Sequence, residues 1–234
     1  PQQRQQTMVA AYVERKGTVA EVWESLRTQP GTNSEEIETV QYTLGAASIT
    51  LNHPPLVQQL TRLRRSGQLG RRLRDLARFS RNDWANLLKN QVGNVRVGAP
   101  AMFGEKEDER ETRYAAFLAR MVEALYPTSA LTHRLAETNE AAFAPTLRFL
   151  RSNPDFEFQT MRVHEFLRAN PNAIDGGANR EATVNQLQAV QRMMNIAPPF
   201  DKAKVVTLIA DDIDSAFQIR RMGPAQFIRT RAES

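Results

Sequence analysis

Residues 211–228, DDIDSAFQIRRMGPAQFI, read as a short helix, a tight turn at Met222 and Gly223, and a second helix opened by Pro224. Proline suits a first helical position because its missing N–H would have no helical partner there, and glycine accepts the backbone angles of a sharp turn. Such a unit is either a helix-hairpin-helix that binds nucleic acid or a packing corner. Earlier in the chain, RLRDLARFSRNDWANLL (72–88) repeats the pattern at a constant offset of 143 positions. Leu73 aligns with Ala216, Leu76 with Ile219, Phe79 with Met222 and Trp84 with Phe227, while Ser80 and Arg81 align with Gly223 and Pro224. Ser80 with Asp83 forms a capping-box pattern, so both copies place a turn residue before the first residue of a helix. The double prolines Pro54–Pro55 and Pro198–Pro199 sit in matching places, at an offset of 144.

The two copies decide between the readings. A phosphate-binding hairpin uses backbone N–H groups in a glycine-rich turn at a helix start. Pro224 removes one such donor, and the first copy has Arg81 and Asn82 with no glycine. The apolar anchors Leu76, Phe79, Trp84, Ile219, Met222 and Phe227 are kept while the phosphate-binding chemistry is not, which favours the packing corner. The nucleic-acid adaptor stands as the alternative, with Arg220, Arg221 and Arg229 beside the turn.

Working outward, the apolar period is helical nearly everywhere. PQQRQQ (1–6) is expected to be a frayed lead-in, followed by a helix over 8–26 interrupted near Gly17. Asn33 or Ser34 caps a helix from Glu35 to about Ile49, and Pro54–Pro55 mark a further boundary. Residues 90–109, with three glycines and a proline, are expected to form a linker or surface loop. Glu107 to Tyr126 carries an apolar stripe of Tyr114, Phe117, Leu118, Met121, Leu125 and Tyr126, Pro127 stops it, and Thr128 or Ser129 caps the next helix. Further helices are expected over 143–150, 161–167 and 184–194, with a short extended stretch at 156–163. The fold class is therefore all-α, an irregular array of short helices with two related helix-turn-helix units. Two helical units, 1–92 and 107–234, are expected to flank a linker at 93–106.

In 234 residues, 41% hydrophobic and 24% charged, there is material for a packed core and no apolar run long enough to span a membrane. The chain opens on Pro1, which fits a segment of a longer protein. Having no cysteine excludes disulfide frameworks, thiolate zinc sites and thiol catalysis. Phosphate-cradle, zincin and nucleophile-elbow motifs are absent, and His53, His133 and His164 have no ligand or triad partner at a recognisable spacing. No catalytic, cofactor or metal residues are assigned, and no cofactor is expected. The net charge of +5 concentrates in TRLRRSGQLGRRLRDLARFSR (61–81), where Arg64, Arg65, Arg71 and Arg72 are expected on an outer interaction face.

Several segments resemble the helical shell region of the A-type subunits of insecticidal Tc toxin complexes and their neuraminidase-like-domain relatives. The resemblance runs through DFEFQTMRVHEFLRANP (155–171), LQAVQRMMNIAPPFDKAKVVTLIADDIDSAFQIRRMGPAQFI (187–228), RYAAFLARMVEALYPTSALTHRL (113–135) and DWANLL (83–88). It implies a piece of a helical shell around a translocation channel, in a very large pentameric protein that also carries receptor-binding domains and opens on a pH trigger. The implied partners are neighbouring domains or subunits of that assembly rather than nucleic acid, and membrane contact comes only through the full assembly. The implied location is extracellular, after synthesis in a bacterial cytoplasm.

Overall fold

The fold is all-α, an array of short helices with one two-stranded ribbon among the described residues. The structure, a computed structural model, describes residues 2–29, 33–174, 180–196, 202–211 and 213–232. The chain divides into two compact units, 1–118 and 119–234, each with its own buried apolar residues.

The first unit opens with α1 (Gln2–Val13) and α2 (Val19–Thr28). The glutamine-rich lead-in is helical rather than frayed, because Met8 is buried among Trp23, Leu26, Ile37 and Val40, with Val9 and Tyr12 packed against them. The break between α1 and α2 is fixed by Thr18, whose hydroxyl accepts the Glu21 N–H at 3.3 Å while Glu21 accepts the Thr18 N–H at 2.8 Å. α3 (Ser34–Ile49) is capped by the Asn33 side chain on the Glu35 N–H at 2.9 Å. α4 (Pro54–Arg65) starts on two prolines, and buries Leu56 and Leu60. A 3-10 helix, Leu73–Arg78, leads into α5 (Arg81–Lys89).

Residues 93–106 fold inside the first unit, and the division between the units falls at Leu118 and Ala119. β1 (Gln91–Val92) pairs antiparallel with β2 (Val95–Arg96) across Gly93, whose φ of 61° suits the turn. Val97 is then buried, and Arg96 pairs with Glu107 at 3.0 Å and Glu111 at 2.8 Å. These contacts tie the glycine-rich stretch to α6 (Glu107–Leu125).

In the second unit, α7 (Pro127–Asn139) uses Pro127 itself as first helical residue. Thr128 is therefore inside the helix rather than its cap, and its buried hydroxyl accepts the Phe158 N–H at 3.0 Å. α8 (Ala144–Ser152), α9 (Val163–Ala169), α10 (Arg180–Ile196) and α11 (Lys202–Ala210) enclose a core of Leu131, Leu147, Phe156, Leu187, Val190 and Val205. Residues 156–162 form turns, not a strand. Gln191 on α10 holds these turns by donating to the carbonyls of Phe158 at 2.9 Å and Met161 at 2.7 Å, and by accepting the Val163 N–H at 3.1 Å. α12 (Ala216–Ala232) is broken at Gly223.

Candidate functional site

The arginine run does not form one face. α4 ends at Arg65, Gly67 turns the chain at φ 73°, and Leu69 is buried with its N–H on the Leu63 carbonyl at 3.0 Å. This divides the arginines between two recesses of the first unit.

Arg64 turns inward, contrary to the expectation of an outer face, and its side chain is 9% exposed. The reason is helical register: Arg64 stands four residues after Leu60 and eight after Leu56, both fully buried, so it continues their stripe. Its Nε donates to the Arg71 carbonyl at 3.0 Å, and its guanidinium lies 4.9 Å from the centre of the Tyr42 ring. The Glu38 carboxylate is 3.9 Å from Nη2. Arg71 and Arg72 are exposed, and with Arg64, Glu38 and Tyr42 they line a cleft of about 450 Å³. Tyr42 is buried, and among the described residues its hydroxyl has no hydrogen-bond partner. Burial pushes that hydroxyl's pKa well above the ordinary tyrosine value, Arg64 opposes the shift and Asp75 adds to it.

Arg65 belongs to a second, larger groove of about 670 Å³ between α1, α3 and α4, where it stands one turn from Arg62. Sequence reading singled out Arg65 and passed over Arg62. The three-residue spacing of the two, on the side of α4 away from the Leu56–Leu60–Arg64 stripe, was the available signal.

The packing anchors divide between the units. Leu76 and Trp84 are fully buried in the first, and Phe79 is half-buried with its ring at 71° to Trp84, centroids 5.1 Å apart. Ser80 and Asp83 complete the expected capping box, with Asp83 accepting the Ser80 N–H at 2.8 Å. In the second unit Ile219 is half-buried against the core and Met222 is half-buried. Phe227 lies in α12, but its side chain is outside the described residues, as are Pro198, Pro199 and the side chain of Arg229. Ser80 and Gly223 both have extended ψ, 172° and 161°, but φ is −71° at Ser80 and 74° at Gly223. The two corners thus turn the chain between helices by different backbone routes.

The histidines serve separate local contacts. His53 Nε2 is 2.7 Å from the Val97 carbonyl and 3.2 Å from that of Gly98, so this nitrogen carries the proton. His164 is exposed beside Glu165 at 3.6 Å, and His133 is half-buried. Among the described residues no group of three or more His, Asp or Glu is placed to hold a metal ion, and no helix is long and apolar enough to cross a membrane. Compared with known proteins, the chain matches no family model, no curated protein and no solved structure.

Proposed function

We propose that this chain is a non-enzymatic helical scaffold domain, part of the shell of a toxin-translocating assembly of the Tc A-subunit kind. The observation that carries the reading is the pair of corners. Each places apolar anchors against its own unit's interior, Leu76 and Trp84 in one and Ile219 in the other, while the polar residues of the turns differ. A function of the turn itself would need matching polar groups, whereas a function of packing needs only matching anchors. The resemblance of four segments to the Tc shell region supplies the kind of assembly.

The full-length polypeptide carrying this chain is expected to form a large closed oligomer around a channel when purified and imaged by electron microscopy. In that context Ile219→Asp unfolds the second unit and prevents assembly. A full-length protein that remains monomeric refutes the reading. So does a salt-sensitive shift of DNA or RNA by the purified chain that is lost when Arg220 and Arg221 become glutamate, which is the behaviour of a hairpin adaptor.

A further inference from the structure

The groove between α1, α3 and α4 has an apolar floor and a cationic edge. Val9, Val40, Leu44 and Val57 form the floor, from all three helices. Three threonines that also line it have their hydroxyl protons committed within their own helices. Thr39 donates to the Glu35 carbonyl, Thr43 to Thr39 and Thr61 to Val57, each at 2.8 Å. With those donors taken, the hydrocarbon part of each threonine extends the apolar surface, and water in the groove gains little.

Arg62 and Arg65 are exposed at this groove, and among the described residues neither side chain has a carboxylate within ion-pair distance. Exposed arginines of this unit differ in this respect: Arg27 pairs with Glu24 at 3.2 Å and Arg96 with Glu107 at 3.0 Å. Arg71 and Arg81, like Arg62 and Arg65, have no carboxylate within ion-pair distance among the described residues, and of these four Arg62 and Arg65 alone line the apolar groove. Cations in the last turn of α4 complement the helix dipole, but that needs no adjoining apolar recess. The backbone positions of Arg62 and Arg65, three residues apart, are separated by about 4.5 Å along the helix axis, close to the spacing of residues one turn apart on a second helix.

From this geometry we infer that the groove docks an amphipathic helix of a neighbouring domain or subunit, apolar on one stripe, with two carboxylates one turn apart beside it. Apolar side chains at i, i+3 and i+4 fill the floor, and the two acids meet Arg62 and Arg65. The paired cations favour this occupant over a small apolar acid, which has one anionic head, and the open groove leaves such a ligand largely in water. The identity of the occupant rests on the scaffold reading, since it places the ligand on an adjoining piece of the same assembly.

The test uses the purified chain and a labelled 16-residue synthetic helix with a leucine stripe and two glutamates one turn apart, followed by fluorescence anisotropy. Binding is expected, and Arg62→Glu with Arg65→Glu weakens it by about 10-fold or more while the circular dichroism melt is unchanged. A peptide with lysines replacing the two glutamates restores binding to the double variant. Leu44→Lys abolishes binding of both peptides. The proposal is overturned if the wild-type chain does not bind the peptide, if the lysine peptide gives no rescue, or if dodecanoate binds with the same arginine dependence and the peptide does not. Those failures leave the oligomer seen by microscopy untouched, so the docking site and the scaffold fail separately.

Discussion

Tyr42→Phe and Tyr114→Phe remove the same atom from two buried rings of the first unit, and opposite effects on stability are expected. The Tyr114 hydroxyl donates to the Thr50 carbonyl at 2.7 Å in a fully buried site. That carbonyl also accepts the His53 N–H at 3.2 Å, so Tyr114→Phe loses one bond without stranding its acceptor. The expected cost is about 1 kcal/mol. The Tyr42 hydroxyl is buried without a partner among the described residues, so its removal relieves a desolvation penalty and gains about 1 kcal/mol. With a urea m-value of about 2 kcal/mol/M, the two midpoints then differ by about 1 M. Trp23 and Trp84, the only tryptophans, both lie in the first unit and are buried, so urea unfolding followed by tryptophan fluorescence reports this unit alone. If Tyr42→Phe destabilises as much as Tyr114→Phe, the Tyr42 hydroxyl has a partner in solution and the reasoning fails.

The same tyrosines set a pH dependence: burial raises both pKa values, so the folded unit holds these protons more tightly than the unfolded chain. Below about pH 10 the two groups leave stability independent of pH; above it stability declines, by up to ~2.7 kcal/mol per pH unit for the two groups, and fluorescence-detected urea midpoints that stay level from pH 9 to 11 would exclude it. At Gly223, φ 74° with ψ 161° is a conformation that side chains avoid, although among the described residues nothing lies within 4 Å of an added Cβ. Gly223→Ala should therefore cost about 1–3 kcal/mol from backbone strain alone, read by circular dichroism during urea unfolding, with the tryptophan signal of the first unit unchanged.

Helix boundaries were the most legible part of the sequence because they depend on local chemistry. Asn33, Ser80 with Asp83, and Pro54 act within one turn of themselves, and each marks a helix start as read. Reading failed where a distant contact decides the outcome. Residues 2–6 are polar and unpatterned, yet they belong to a helix anchored through Met8 and Tyr12 against Trp23. The glycine-rich stretch 93–106 reads equally as a linker or a surface loop, and only the pairing of Arg96 with Glu107 and Glu111 and the burial of Val97 hold it to the first unit as a loop. Thr128 looks like a cap, but Phe158, 30 residues on, uses its hydroxyl. For the arginines the period was present in the sequence: counting by fours from Leu56 places Arg64 with the core, and counting by threes from Arg62 brings in Arg65.

The long-range polar contacts explain why candidate functional residues are hard to read from this sequence. His53 holds the carbonyls of Val97 and Gly98, Tyr114 that of Thr50, Gln191 those of Phe158 and Met161, and Gln186 that of Ala142 at 3.1 Å. Each binds a carbonyl that lies outside the helices, and a buried carbonyl without a partner would cost about 1–3 kcal/mol. Short helices make many such ends, so an array of them needs polar side chains as fasteners in proportion to its turns. Residue types that usually suggest chemistry are thus occupied in holding loops. Against this background Arg62 and Arg65 differ, because among the described residues they fasten no loop and pair with no acid, and they stand beside an apolar groove. An exposed pair of cations with no structural duty beyond the α4 dipole is where a partner can add binding without dismantling the fold.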